Sequence, residues 1–229
     1  MKTIGLIGGL TWHSTIDYYR YFNQLVNQRL GGDEAARVVI NSVNYGEIKE
    51  LTQANRWADI SRIISSAARQ AEAAGADCLL LGANTMHNIA GEVAASVNIP
   101  LIHIADATAG AILSKGLDKV ALLGTRYTML LDFYHKKLAA HGIRALVPDE
   151  AGLGFINNSI YNELGKGVFL PETRQRYLDI IDQLCQQGAG GAILGCTEIP
   201  LLIKQEDCPM PVFDTTFLHA KAAVDFAFG

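Results

Sequence analysis

Short, continuous apolar runs alternate along this chain with longer stretches of helical periodicity. Runs without polar interruption mark strands buried on both faces, and their alternation with helices predicts a parallel sheet in an α/β fold. Thr3–Ile7 reads as a strand ending at Gly8-Gly9, followed by a helix from about Ser14 to Leu30 that Gly31-Gly32 closes. Arg37–Ser42 is a second strand. A helix from about Trp57 to Ala74 leads into a third strand, Cys78–Leu81. Thr85–Ser96 reads as helical and Ile99–Ile104 as extended.

The pattern then restarts. Lys119–Leu123 is a strand ending at Gly124-Thr125, offset by 116 residues from the first (Gly8 to Gly124). A helix follows, then extended Arg144–Val147, a long helix around Glu172–Gln187, and a strand Ala192–Leu194. Gly75 to Met86 recurs as Gly188 to Ile199 at a constant offset of 113 residues (Ala83 to Cys196). Each copy is Gly-Ala, a buried strand, then a glycine turn into a helix. Pro211-Val212-Phe213 echoes Pro100-Leu101-Ile102, and Thr216 to Phe228 reads as a final helix. A solenoid needs more and shorter units. The expectation is α/β with two pseudo-symmetric Rossmann-like lobes, each with a parallel sheet, and an active site in the cleft between them. The final helix returns to the first lobe, giving lobes of 1–103 plus 212–229 and of 104–211.

Composition narrows the partners. The chain has 229 residues, 49% of them hydrophobic and 18% charged, as an ordinary globular protein has, with a formal net charge of −4. No basic stripe offers itself to nucleic acid. No apolar run approaches the roughly 20 residues that span a bilayer, and the N-terminus carries no export pattern. Cys78, Cys185, Cys196 and Cys208 form no zinc-type spacing, so no metal is expected. Cys78 and Cys185 read as packing residues and Cys208 as a loop residue without a role. Reduced thiols point to the cytoplasm.

Ligands of open α/β sheets sit beyond the carboxyl ends of the strands. Four turns qualify there: Gly8-Gly9-Leu10-Thr11, Gly82-Ala83-Asn84-Thr85, Gly124-Thr125-Arg126-Tyr127-Thr128 and Gly195-Cys196-Thr197-Glu198. Orphan amides at helix starts favour a carboxylate or phosphate. Singly, Asn84, Thr85, Thr125 and Thr197 are equally good N-caps; four at equivalent strand ends favour a shared site. Gly5-x-x-Gly8-Gly9 lacks the dinucleotide and P-loop spacings, and nothing singles out a pyridoxal-type lysine, so no cofactor is expected. Cys196 is the strongest catalytic candidate, because a thiol at a helix start is expected to have a lowered pKa.

Gly-Cys-Thr-Glu after one strand, Asn-Thr-Met-His after its counterpart and Gly-Gly-Leu-Thr-Trp near the N-terminus resemble the cofactor-independent aspartate/glutamate racemases. The resemblance runs over essentially the whole chain. It implies two cysteines flanking a substrate α-carbon, one removing a proton and the other returning one to the opposite face. Cys196 matches the second; the first position is Ala83, whose methyl carries no ionisable proton. It further implies that Asn84, Thr85, Thr125 and Thr197 hold the α-carboxylate or amino group of an amino acid or dicarboxylate. Leu10, Thr11, Thr52 and Thr128 are further substrate-binding candidates. Lys166 is a candidate for a side-chain carboxylate, and equally a solvated lysine. His87 and Glu198 are supporting residues that could orient or tune the thiol. A homodimer is expected, as the family is commonly dimeric.

The missing cysteine leaves several activities open. The first is a racemase that works asymmetrically or weakly, with Thr85, His87 or a water serving the Ala83 face. The second is a single-thiol enzyme that protonates a carbanion, as the related arylmalonate decarboxylases do. The third is a carboxylate-binding homologue without turnover. A replacement introduced at Ala83 in an otherwise standard enzyme reads the same way.

Overall fold

Five consecutive residues, Ile4–Gly8, have no polar side chain and are all buried, so they form β1 in the middle of a sheet rather than at its border. The computed structural model describes residues 1–229. It falls into two compact units, Met1–Ile104 with Thr216–Gly229 and Ala105–Thr215. Residues 212–215, expected with the first lobe, belong to the second unit, because Val212–Asp214 pairs in parallel with the strand Ala192–Gly195.

In the first unit the elements are β1, α1 (Trp12–Leu30), β2 (Val38–Ser42), α2 (Tyr45–Gln53), α3 (Trp57–Ala73), β3 (Cys78–Leu81) and α4 (Ala90–Ala95). The strands lie in the order β2-β1-β3, all parallel. The expected extended run Ile99–Ile104 is reduced to one bridge, Leu79 to Leu101. The segment Thr85–Ser96 is not one α-helix: Asn84–Ile89 is a 3-10 helix, and α4 follows. Ala83 in the capping position makes no side-chain hydrogen bond to the first turn.

The second unit contains α5 (Ile104–Ser114), β4 (Lys119–Gly124), α6 (Arg126–Leu130), α7 (Asp132–Ala140), β5 (Arg144–Leu146), α8 (Glu150–Asn162), α9 (Pro171–Gln186), β6 (Ala192–Gly195), α10 (Ile199–Leu202) and β7 (Val212–Asp214). Its order β5-β4-β6-β7 is again wholly parallel. The two sheets repeat in register. Ile7 pairs with Leu81 as Leu123 pairs with Leu194, and the Leu79–Leu101 bridge corresponds to the Ala192–Val212 pair. The last helix, α11 (Thr215–Phe228), packs Ala220, Ala223, Val224 and Ala227 with Tyr18 and Phe22 of α1 on one face of the first sheet. Ile60, Ile64, Ala67 and Ala68 of α3 fill the other face.

Candidate functional site

In the first unit the strand-end turns are held by their own hydroxyls. Gly9 has φ +73, and a Cβ there would lie 2.1 Å from the Val43 carbonyl oxygen, so only glycine fits. The Gly9 N–H donates to Thr15 Oγ1 at 2.8 Å, and Thr15 Oγ1 donates to the Thr11 carbonyl. Thr11 is the N-cap of α1, accepting from the Ser14 N–H and pairing with Ser14 Oγ at 2.8 Å. Leu10 is buried in the apolar cluster under α3. Thr52 is also buried and donates to Ile48 O within α2. Both side chains are buried.

Ala83 is partly exposed at the end of β3, Asn84 is buried beside it and Thr85 is partly exposed. His87 is not on a helix surface but buried. The Ile104 N–H donates to His87 Nε2 at 3.3 Å, so the ring proton sits on Nδ1, which lies 3.1 Å from Ala83 O and 3.3 Å from Asn84 O. Both ring nitrogens are engaged, and His87 braces the turn. Behind it, His103 and His219 stack edge-on at 4.6 and 5.3 Å between ring centres. Tyr18 donates to His219 Nδ1 and His219 Nε2–H donates to Ile102 O, both at 2.7 Å. Burial and the neighbouring His87 push His219 down to about 3, so it is neutral.

In the second unit Gly195 ends β6, where a Cβ would lie 2.8 Å from Leu123 O, and Cys196 follows it, half-buried. Its Sγ–H donates to Glu198 Oε2 at 2.8 Å, and Thr197 Oγ1 donates to the same oxygen at 2.7 Å. The expected lowering of the thiol pKa is overturned. Burial and the Glu198 carboxylate hold it well above the ordinary range. The helix beyond is the four-residue α10, too short and too far along the chain to oppose a carboxylate in contact. Cys196 is therefore a neutral thiol hydrogen-bonded to the Glu198 carboxylate. Beneath it lies Tyr177, which the sequence did not single out. Its hydroxyl bonds Ser159 at 3.0 Å and is kept protonated by burial, with Cys196, Glu163 and Glu198 adding to the effect.

Thr125 caps α6, accepting from the Thr128 N–H, and its hydroxyl pairs with that of Thr128 at 3.2 Å. Thr128 is fully buried, its hydroxyl held against that of Thr125. The Arg126 N–H donates to Asn157 Oδ1 at 2.9 Å, fixing the same turn to α8. Lys166 is exposed in the short 3-10 helix Leu164–Lys166. Cys185, expected to pack, is exposed, because it falls on the solvent side of α9. Cys208, expected in an idle loop, is buried in the core. No three His, Cys, Asp or Glu side chains converge as a metal-binding group, and no helix is long and apolar enough to cross a membrane.

The profile of the family described as Asp/Glu/Hydantoin racemase matches residues 7–223. Among solved structures, a Yersinia pestis protein provisionally described as an Asp/Glu racemase is similar at 44% identity with a TM-score of 0.95 over 100% of both chains. An aspartate racemase homologue of Pyrococcus horikoshii is similar at 35% identity and a TM-score of 0.88, again over 100% of both chains. The aspartate racemase of Picrophilus torridus shares the fold at 22% identity and a TM-score of 0.78, covering 100% of this chain and 95% of its own.

Proposed function

The chain belongs to the Asp/Glu/Hydantoin racemase family, and we propose that it is a cofactor-independent racemase of the aspartate/glutamate type that works asymmetrically, with Cys196 as its one catalytic thiol. The observation that carries this is the Cys196–Glu198 pair, 2.8 Å from sulfur to oxygen, at the strand end whose counterpart in the repeat is Ala83. In this reading a water removes the α-proton on the Ala83 face and Cys196 protonates the opposite face, its thiolate then regaining a proton by way of Glu198. In the return direction Cys196 passes its own proton to Glu198 and, as thiolate, takes the α-proton. The ammonium group of a bound amino acid supplies the positive charge that makes the thiolate accessible. Asn84, Thr85, Thr125 and Thr197 are the proposed holders of the α-carboxylate and amino group, with Lys166 reserved for a side-chain carboxylate. We place the enzyme in the cytoplasm, in keeping with four unpaired cysteines, and as a homodimer.

The test is α-proton exchange in D2O from each enantiomer of aspartate and glutamate. Wild-type protein should exchange the two enantiomers at rates differing at least tenfold, Cys196→Ala should abolish exchange, and Ala83→Cys should raise racemisation by about 10²-fold or more, the scale of one positioned acid/base group. Exchange from neither enantiomer, in wild type or in Ala83→Cys, would sink the proposal. The neutral state of Cys196 also favours a second reading, one-face protonation of a carbanion left by decarboxylation. It is distinguished by carbon dioxide release from an α-substituted malonate.

A further inference from the structure

A side-chain hydroxyl carries one proton and donates it to one acceptor at a time. In the second unit two single-proton donors converge on one atom. Glu198 Oε2 accepts from Cys196 Sγ at 2.8 Å and from Thr197 Oγ1 at 2.7 Å. Glu198 is buried, while Cys196 and Thr197 are partly exposed, so the two donors are what a ligand meets. The arrangement belongs to this copy of the repeat. At the offset of 113 residues the counterparts of Cys196, Thr197 and Glu198 are Ala83, Asn84 and Thr85, and none of these is a carboxylate.

A hydrogen bond donated to a carboxylate favours its ionised form. The Thr197 hydroxyl therefore makes Glu198 a weaker acceptor for the thiol proton, and the pair rests as thiol and carboxylate. The carboxylate of a bound amino acid is a charged acceptor of the same kind and competes for the single Thr197 proton. An ammonium group, which only donates, does not.

We propose that Thr197 is a positioning residue that latches Glu198: a substrate carboxylate draws the Thr197 hydroxyl to itself, and Glu198, short of one donor, becomes the better acceptor for the Cys196 proton. This rests on the reading above, in which Thr197 meets the substrate, and it assigns Thr197 to the carboxylate rather than the amino group. The transfer balances within the pair. The S–H bond of Cys196 breaks, an O–H bond forms on Glu198, and the negative charge moves from oxygen to sulfur. Loss of one charge-assisted hydrogen bond shifts that transfer by about tenfold. The thiolate is thus favoured when a substrate is seated, and the empty site keeps an unreactive thiol. The other ionisable groups facing this corner from within the unit are engaged elsewhere. Tyr177 of α9 is kept protonated by burial and bonds Ser159 at 3.0 Å, and Glu163 at the end of α8 accepts from Thr173 Oγ1 at 2.6 Å.

The test is alkylation of ligand-free protein by iodoacetamide in a Cys185→Ser background, which removes the exposed thiol of α9. At about pH 6 the Cys196 thiolate arises by transfer to Glu198, whereas at about pH 10 it arises by loss of the proton to water. Thr197→Val should raise the rate at the lower pH about tenfold and leave the rate at the higher pH unchanged. Thr197→Ser, which keeps the hydroxyl, should match wild type, and Thr197→Ala replaces Thr197→Val if the latter does not fold. An unchanged rate at the lower pH overturns the latch. So does a rise of both rates together, the mark of a turn merely loosened. An effect of Thr197→Val that persists in a Glu198→Gln background, where the acceptor is gone, overturns it as well. Calorimetric titration with succinate, a dicarboxylate without an amino group, should give a Kd about tenfold higher in Thr197→Val than in Thr197→Ser. Equal values, or binding to neither, would overturn the assignment of Thr197 to the carboxylate. Absence of α-proton exchange sinks the racemase reading by itself, and the alkylation rates still decide the latch.

Discussion

At the scale of the residue, the contact between Cys196 and Glu198 reverses the usual picture of a catalytic cysteine. A thiol facing a helix start or a cation ionises readily, whereas one facing a carboxylate keeps its proton. Glu198 is 6% exposed and accepts from both the thiol and Thr197 Oγ1, so its charge is fixed in place. Glu198→Gln removes that charge but leaves the volume, and it relieves one of the two main causes that raise the thiol. The midpoint of Cys196 alkylation by iodoacetamide against pH should fall by about one pH unit or more in Glu198→Gln, while α-proton exchange should drop about 10- to 100-fold because the relay loses its acceptor. An unchanged or higher midpoint would show that Glu198 does not control the thiol. Sequence identifies the thiol from its place after a strand. It also marks Glu198 as a residue that could tune the thiol, but not the direction, since a cysteine at a helix start reads as lowered whereas contact with Glu198 raises it.

At the scale of the element, the site rests on turns whose backbone leaves little freedom. Gly9→Ala places a methyl against Val43 O at a left-handed φ and should cost more than about 2 kcal/mol in urea unfolding. Thr11→Ala loses the cap of α1 and should cost about 1 kcal/mol. Equal small losses would mean that the turn relaxes and does not brace the strand end. The strands are legible in sequence because buried parallel strands have unbroken apolar runs. α2 is not, since its nine residues bury only Ile48 and Thr52, too few to show a period, although Asn44 caps it. α8 is hidden by Gly152 and Gly154, which weaken its helical signal. Asn84–Ile89 looks like an ordinary helix start; its 3-10 form depends on His87 reaching back to the Ala83 carbonyl, a contact that no local spacing encodes.

At the scale of the whole molecule, groups buried in their neutral forms set the pH range of stability. His219 titrates near 6.5 when unfolded and at about 3 when folded. Between those values the unfolded chain binds more protons, so stability is fully present above pH 6.5 and is lost as pH falls toward 3, by up to about 5 kcal/mol. Among the exposed or partly exposed carboxylates, Asp207 is lowered by the Lys204 backbone N–H and then by Arg174, and Asp59, Asp132 and Asp225 are lowered by basic neighbours, so they add an acid loss only below the carboxylate range near 3.8. The alkaline side has the opposite sign of titration and the same result. Cys78 is raised to about 11 and Cys196 well above 9.0, both chiefly by burial, so above pH 9 the unfolded chain sheds protons first and stability falls again. Urea unfolding free energies should therefore form a plateau between about pH 6.5 and 9. The acid limb between pH 6.5 and 4 is assigned to His219. His219→Phe removes the group that must charge on unfolding. It should lower stability at pH 7, by stranding the Tyr18 hydroxyl and Ile102 O, yet flatten the slope between pH 6.5 and 4. A slope unchanged by that substitution would assign the acid limb to other groups and disprove a neutral His219 at the centre of the first unit.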